Sequence, residues 1–169
     1  FSLVRKGIDC RLVLAGGTAT DDPESDKVLA EMRERAGNNP DIHILLIPPG
    51  SDIEINALQR ASTIIVQKSL GEGFGLTVSE ALWKAKPVVA SAVGGIPLQV
   101  NNKFTGLLSR GVPGTAYALR QLLNNPEYAR WLGGNGREHV RYNFLITRHL
   151  RDYLLLFLSL DHPGDVIYL

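Results

Sequence analysis

Short apolar runs rich in Val and Ile alternate with segments of helical periodicity over the first two thirds of this 169-residue chain. Near-continuous hydrophobicity is typical of strands that are covered on both faces of a parallel sheet. Alternation of such strands with helices predicts an α/β fold, a doubly wound parallel sheet of about five strands. The predicted strands are RLVLAG (11–16), IHILLIP (42–48), TIIVQ (63–67), PVVAS (87–91) and TGLLS (105–109).

The helical segments have a different distribution on the two sides of the fifth strand. Before it, helices are predicted between the strands, at 25–36, 52–61, 76–85 and 97–100. After it the pattern is entirely helical, with segments at 114–124, 126–142 and 145–160. Pro126 favours a helix start, because proline at the first helical position loses no hydrogen bond. Neither a repeat nor a linker is visible, so we expect one domain over residues 1–169.

The charge and the rare residue types exclude several classes of protein. A formal net charge of +1 without a Lys/Arg-rich block argues against nucleic acid or an acidic membrane as a partner. The longest apolar run, 154–158, is too short to span a bilayer. Cys10 is alone and the four histidines lack the spacing of metal ligands. We therefore expect a cytoplasmic protein that uses neither a metal ion nor another cofactor.

The segment GEGFGLTVSEAL (71–82) places three glycines, Gly71, Gly73 and Gly75, between the third strand and a helix. Ligands of open α/β sheets bind outside the carboxyl ends of the strands. The segment is not a P-loop, and it lacks the third glycine of a dinucleotide fingerprint, which would fall at Leu76. Unpaired N–H groups at the helix start still favour an anion. The structural alternative is a tight strand-to-helix turn with packing glycines.

Two carboxylates, Glu72 and Glu80, lie on either side of this junction. A carboxylate beside an anion is repelled unless it faces a different part of the ligand. Sugar hydroxyls donate to carboxylates in charge-assisted bonds of about 1.5–3 kcal/mol. A nucleotide sugar resolves the conflict, with Glu72 on one sugar, the helix start on the phosphates and Glu80 on the ribose. The alternatives are a solvated loop acid at position 72 and a capping box formed by Thr77 and Glu80.

The segment EGFGLTVSEAL resembles the E-x7-E element of retaining glycosyltransferases of the GT-B fold, in the family that holds sucrose, glycogen and trehalose synthases. KPVVASAVGGIPLQV and FTGLLS resemble the segments that follow that element. The resemblance covers residues 9–159 and corresponds to the C-terminal, nucleotide-sugar-binding half of such an enzyme. VQKSLGEGFGL, INALQRAS, NFLITRHL and GGIPLQV, with Leu98 where many relatives have Glu, resemble the trehalose synthase branch. Retaining trehalose phosphorylases share much of this sequence.

The resemblance implies a retaining hexosyltransferase that moves glucose from a nucleoside-diphosphate sugar to a sugar acceptor. Glu72 would face the donor sugar as the catalytic residue. The implied substrate-binding residues are Gly73, Phe74, Gly75, Leu76, Thr77 and Glu80. Gly94 and Gly95 would line the same crevice, with a plain turn as the alternative. The chain has no Asp-x-Asp element, so no metal site is expected.

The family's acceptor-binding domain and its diphosphate-binding Arg and Lys would lie upstream of FSLVRKG, which reads as the end of a helix. We therefore expect an N-terminally truncated domain with five strands and an empty central slot. Such a chain alone is expected to make no glycoside, to bind nucleotide weakly at best and to self-associate when concentrated. Two other functions stay open, a trehalose phosphorylase and a non-catalytic nucleotide-sugar-binding domain.

Overall fold

The computed structural model describes residues 1–17, 23–162 and 164, and the chain divides into two compact units, Phe1–Ser62 and Thr63–Leu169. The first unit contains α1 (Ser2–Arg5), β1 (Leu12–Gly16), α2 (Pro23–Ala36), β2 (Ile42–Leu46) and α3 (Asp52–Ala61). β1 and β2 form a parallel pair, in which Leu12 lies opposite Ile42. A parallel pair requires a crossover connection, and α2 lies in it.

The elements of the second unit are β3 (Ile65–Gln67), α4 (Leu76–Trp83), β4 (Val88–Ser91), α5 (Ile96–Gln99), β5 (Leu107–Ser109), α6 (Gly111–Asn124), α7 (Pro126–Asn143) and α8 (Ile146–Asp161). Its strands form a three-stranded parallel sheet of order β3-β4-β5. Val89, in the central strand, lies opposite Val66 on one side and Leu107 on the other.

The central strand β4 separates two hydrophobic clusters. Val88 and Ala90 belong to one cluster, with residues of α4 and α5. Val89 points to the other face and belongs to the second cluster, with residues of α6 and α7. Because successive side chains of a strand face opposite sides, this alternation places helices on both faces of the sheet. The second unit is therefore doubly wound.

The five predicted strands and seven predicted helices all form. Each strand lies within its predicted segment, and α3 has the predicted bounds of 52–61. One expectation about burial is wrong: near-continuous hydrophobicity predicted strands covered on both faces, yet β1 and β2 each have three exposed residues, whereas all four residues of β4 are buried. Along each of these strands half-buried residues alternate with exposed ones, so only one face of this sheet is partly covered. The strands also form two sheets, β1-β2 and β3-β4-β5.

The first helix of the chain is joined to the start of β2 by charged groups. Arg5 Nη2 donates to Asp41 Oδ2 at 2.7 Å, and Arg5 Nη1 donates to Asp9 Oδ1 at 2.8 Å. The hydrogen bonds that Arg5 donates to Asp41 raise the pKa of Arg5 above its already high ordinary value. None of the helices in the described ranges is both long enough and apolar enough for a membrane span.

Candidate functional site

The glycine loop connects β3 to α4, and Gly75 is the N-cap of that helix. Gly75 has φ +89°, in the left-handed region that favours glycine. A Cβ at this position would lie 3.2 Å from Ile96 Cγ1 and 3.4 Å from Glu72 Cγ. At Gly71 and Gly73, by contrast, an added Cβ would meet nothing within 4 Å. The turn itself therefore requires glycine only at position 75, and the other two glycines border open space.

The capping-box alternative for Thr77 and Glu80 is wrong in this structure. α4 begins at Leu76, its N-cap is Gly75, and no side-chain hydrogen bond caps it. Thr77 is the second residue of the helix, so it cannot occupy the N-cap position that a capping box requires. Both Thr77 and Glu80 are exposed on α4. The carboxylate of Glu80 therefore has no role as the partner of a capping threonine.

A second loop, which follows β4, fits tightly against the glycine loop. The N–H group of Gly95 donates to the carbonyl oxygen of Gly73 at 2.9 Å. A Cβ at Gly94, where φ is +52°, would lie 1.6 Å from the carbonyl oxygen of Glu72. A Cβ at Gly95 would lie 2.6 Å from the carbonyl oxygen of Gly73. The structure thus brings Gly94 and Gly95 against the predicted site, at a distance that only glycine permits.

The carboxylate of Glu72 is half-buried and held by two polar side chains at the end of β3. Its Oε2 atom accepts from Ser69 Oγ at 3.3 Å and lies 3.4 Å from Gln67 Nε2. Gln67 Nε2 also donates to Ser69 Oγ at 2.9 Å. Glu72 is therefore not a freely solvated loop acid. Sequence reasoning missed Gln67 and Ser69, although polar residues directly after an apolar strand were a signal.

A cationic side chain lies at the same edge of the sheet. Lys68 Nζ donates to Ser91 Oγ at 2.8 Å, and Ser91 is the buried last residue of β4. Because β3 and β4 are parallel neighbours, their carboxyl ends meet at one edge, where α/β sheets bind ligands. Lys68 is exposed and adds positive charge to this edge.

The described side chain that most directly supports the glycine loop is Gln99, on the short helix α5. Gln99 is completely buried. Its Nε2 atom donates to the carbonyl oxygen of Phe74, and its Oε1 atom accepts from Ser79 Oγ at 2.5 Å. Phe74 also contacts Phe144, with ring centroids 5.8 Å apart. Sequence reasoning did not identify Gln99, because its partners are distant along the chain.

This arrangement can bind an anion and hydroxyl groups next to each other. The first N–H groups of α4, those of Leu76 and Thr77, have no carbonyl partner one turn earlier in the helix. They carry the positive end of the helix dipole, which favours an anion. Glu72 precedes this helix start and Glu80 follows it. Among the described residues, no group of three or more His, Cys, Asp or Glu side chains could hold a metal ion.

The fold and the site together define a Rossmann-like α/β domain in which a glycine loop leads into a helix at the carboxyl edge of the sheet. Residues 1–139 match the family of glycosyl transferases group 1. The chain belongs to this family.

The proteins similar in sequence to this chain include a trehalose synthase and a trehalose phosphorylase. The chain is 49% identical over 163 residues to the trehalose synthase of Rubrobacter xylanophilus. This alignment covers 95% of this chain and 39% of the synthase. The chain is also 33% identical over 138 residues to the trehalose phosphorylase of Pleurotus pulmonarius. That alignment covers 77% of this chain and 18% of the phosphorylase. The chain thus spans well under half the length of both relatives.

Solved structures confirm the predicted fold. The sucrose-phosphate synthase of Thermosynechococcus elongatus superposes with a TM-score of 0.74 at 29% identity, over 91% of this chain and 39% of that one. Anabaena Alr3699/HepE in complex with UDP-glucose superposes with a TM-score of 0.67 at 21% identity, over 91% of this chain and 43% of that one. The chain has the fold of the C-terminal domain of a GT-B glycosyltransferase.

Proposed function

We propose that this chain is the donor-binding part of a retaining glycosyltransferase that moves glucose from a nucleoside-diphosphate sugar to glucose, giving trehalose. The observation that carries the proposal is the glycine loop, which presents a half-buried carboxylate, Glu72, directly before the N-terminus of α4. Similarity to a trehalose synthase at 49% identity favours trehalose as the product. The solved complex of HepE with UDP-glucose supports a nucleotide sugar as the donor.

The proposed roles follow from the charge of each group. Glu72 accepts hydrogen bonds from hydroxyls of the transferred glucose, and Ser69 and Gln67 hold its carboxylate in place. The helix start binds the diphosphate through backbone N–H groups and the helix dipole. Glu80, further along α4, accepts from the ribose hydroxyls. Each carboxylate therefore faces hydroxyl donors, and neither faces the phosphates.

The proposed reaction needs stabilisation of the departing diphosphate above all. The acceptor hydroxyl oxygen bonds to the anomeric carbon while the bond from that carbon to the phosphate oxygen breaks, on the same face of the sugar. The proton of the acceptor hydroxyl goes to the departing phosphate oxygen. Fixed N–H dipoles stabilise the charge that develops there without reorganisation. The proposed substrates are a nucleoside-diphosphate glucose and a sugar acceptor. The proposal also includes an N-terminal acceptor-binding domain and a cytoplasmic location.

The test is a chimera in which this chain replaces the matching region of the Rubrobacter xylanophilus trehalose synthase. With glucose and UDP-, ADP- or GDP-glucose, we expect trehalose, identified by NMR, with the donor's anomeric configuration retained. The Glu72→Gln chimera is the matched control and should lose most of the transfer activity. A folded chimera that binds nucleoside diphosphate but makes no trehalose would contradict the proposal.

A trehalose phosphorylase is the second candidate, favoured by the 33% identity to the Pleurotus pulmonarius enzyme. The two functions differ in the acceptor of the reverse reaction. With trehalose as the glucosyl donor, a synthase uses a nucleoside diphosphate and a phosphorylase uses inorganic phosphate. Glucose release from trehalose by the chimera with phosphate, and not with UDP or ADP, would replace the first candidate with the second.

A further inference from the structure

Gln99 is a polar side chain in an apolar environment, and both ends of its amide have a partner. Ile96, three residues earlier in α5, and Val100, the next residue, are fully buried members of the hydrophobic core. Burying an amide is unfavourable unless its hydrogen bonds are satisfied. Gln99 satisfies them with the carbonyl oxygen of Phe74 and the hydroxyl of Ser79. An apolar side chain of similar size would fill the same space, so what the amide adds is its two hydrogen bonds.

The bond to Phe74 fixes the orientation of a peptide group in the glycine loop. In a trans peptide the C=O and N–H groups point in opposite directions, and the described residues contain no cis peptide. The carbonyl of Phe74 points at Gln99, so the N–H of Gly75 points away from α5. In the same way, the carbonyl of Gly73 accepts from Gly95, so the N–H of Phe74 points away from the second loop.

The carbonyls of Gly73 and Phe74 are therefore held by Gly95 and Gln99. The N–H groups of the same two peptides point away from these donors. We propose that Gln99 is a positioning residue for nucleotide binding, which keeps the N–H group of Gly75 directed at the diphosphate. This inference rests on the proposed nucleotide-sugar site. Gln99 itself touches no ligand and acts through the peptide between Phe74 and Gly75.

The left-handed conformation of Gly75 makes this support necessary. A Cβ at Gly75 would lie 3.2 Å from Ile96 Cγ1 and 3.7 Å from Gln99 Nε2, so α5 lies directly under the turn. Glycine has many backbone conformations, and the peptide preceding it can rotate unless its carbonyl is held. The amide of Gln99 donates to the Phe74 carbonyl and accepts from the Ser79 hydroxyl without carrying a charge. Glutamine at position 99 meets both requirements.

The test is an NMR titration of the uniformly 15N-labelled chain with UDP and, separately, ADP. In the wild type the largest shifts should fall on the backbone amides of Phe74 and Gly75 and on those at the start of α4. Gln99→Met keeps the volume but removes the donor, and Gln99→Glu keeps an acceptor but removes the donor when ionised. Both variants should weaken nucleotide binding roughly tenfold, the loss of one charge-assisted hydrogen bond, with the shift at Gly75 lost.

The matched control is Ser79→Ala, which removes the other partner of Gln99 and leaves the Phe74 bond in place. Its affinity for the nucleotide should stay within about twofold of the wild type. Equal affinity of the wild type and Gln99→Met would overturn the proposal, and so would an equal loss in Ser79→Ala. Should neither Gln99 variant fold, wild-type shifts that avoid Phe74 and Gly75 would overturn it, and shifts centred there would support it.

The failure of this inference differs from the failure of the proposed function. If nucleotide binding depends on Gln99 but the chimera transfers no glucose, the proposed transferase function is contradicted and the positioning role of Gln99 is kept. If the Gln99→Met chimera transfers glucose with an unchanged KM for the donor, the positioning role is contradicted and the transferase function is kept. The absence of any nucleotide-induced shift in the wild type would overturn the positioning role as well, because there would be no bound diphosphate to face.

Discussion

The two units use similar apolar strands but bury them to different extents. All four residues of β4 in the second unit are buried, and the three apolar ones contribute to clusters on both faces of the sheet. In the first unit Val13 is 43% exposed and Leu46 is 50% exposed. The loops that form the candidate site follow β3 and β4, in the unit with the filled core. The candidate loops, which make close backbone contacts with each other, thus follow strands of the better-packed of the two sheets.

The largest expected effect tests how tightly the second unit is packed, with two adjacent glycines of α7. A Cβ at Gly133 would lie 2.1 Å from the carbonyl oxygen of Ala85, whereas a Cβ at Gly134 would meet nothing within 4 Å. We expect Gly133→Ala to lower the free energy of unfolding by about 3 kcal/mol or more. Gly134→Ala should raise it by about 0.5–1 kcal/mol through helix propensity. Urea unfolding measures both, and similar values for the two variants would contradict the close contact.

A second pair of variants compares the two sheets directly. Val89→Ala deletes buried methyl groups in β4 and should cost about 2 kcal/mol of unfolding free energy. Val13→Ala, at an exposed position of β1, should cost less than about 1 kcal/mol. Denaturant unfolding followed by circular dichroism gives both values. Equal losses at the two positions would mean that the sheets are equally well covered and would remove the contrast between the units.

Most of the fold could be predicted because it depends on local sequence. The bounds of α3 follow from its apolar period, and Pro126 starts α7 as predicted from its position. The extent of burial could not be predicted, because apolar runs such as those of β1 and β4 do not reveal which elements cover them. The location of Glu72 and of the three glycines of its segment, in the loop between β3 and α4, was predicted from the sequence pattern.

The supporting contacts of the site were beyond local reasoning. Gln99 and Phe74 are 25 positions apart, and only the folded chain brings them together. The Thr77-x-x-Glu80 pattern was misleading for a different reason. It satisfies the residue preferences of a capping box, but Gly75 adopts the left-handed conformation and takes the N-cap two residues earlier. A backbone conformation thus overrode a side-chain pattern.

The exposed carboxylate of Glu80 gives a smaller effect, confined to binding. Without a capping box, Glu80→Gln should leave the melting temperature nearly unchanged. It should weaken nucleotide binding by about 1–3 kcal/mol, since an amide has one acceptor oxygen where a carboxylate has two. Glu54→Gln, which neutralises an exposed carboxylate of α3 in the first unit, is the matched control and should leave the nucleotide affinity unchanged. Calorimetric titration with UDP or ADP measures the affinity, and a wild-type value for Glu80→Gln would exclude its role on the ribose.

The smallest expected effect concerns divalent metal ions. In the proposed function backbone dipoles of the second unit stabilise the diphosphate, and neither unit supplies a cluster of metal ligands among the described residues. We therefore expect glucosyl transfer by the chimera to be unchanged after thorough chelation with EDTA. Loss of activity on chelation, restored by added Mg²⁺, would show that the helix start alone does not stabilise the leaving group.

The central claim is that one loop separates two tasks, with Glu72 on the sugar and the start of α4 on the phosphates. The most direct measurement compares the affinities of this chain for UDP-glucose and UDP, or for ADP-glucose and ADP, in the wild type and in Glu72→Gln. We predict that the substitution weakens binding of the nucleotide sugar roughly tenfold and leaves the nucleoside diphosphate unaffected. An equal loss of affinity for both ligands in Glu72→Gln, or no loss for either ligand, would contradict this division.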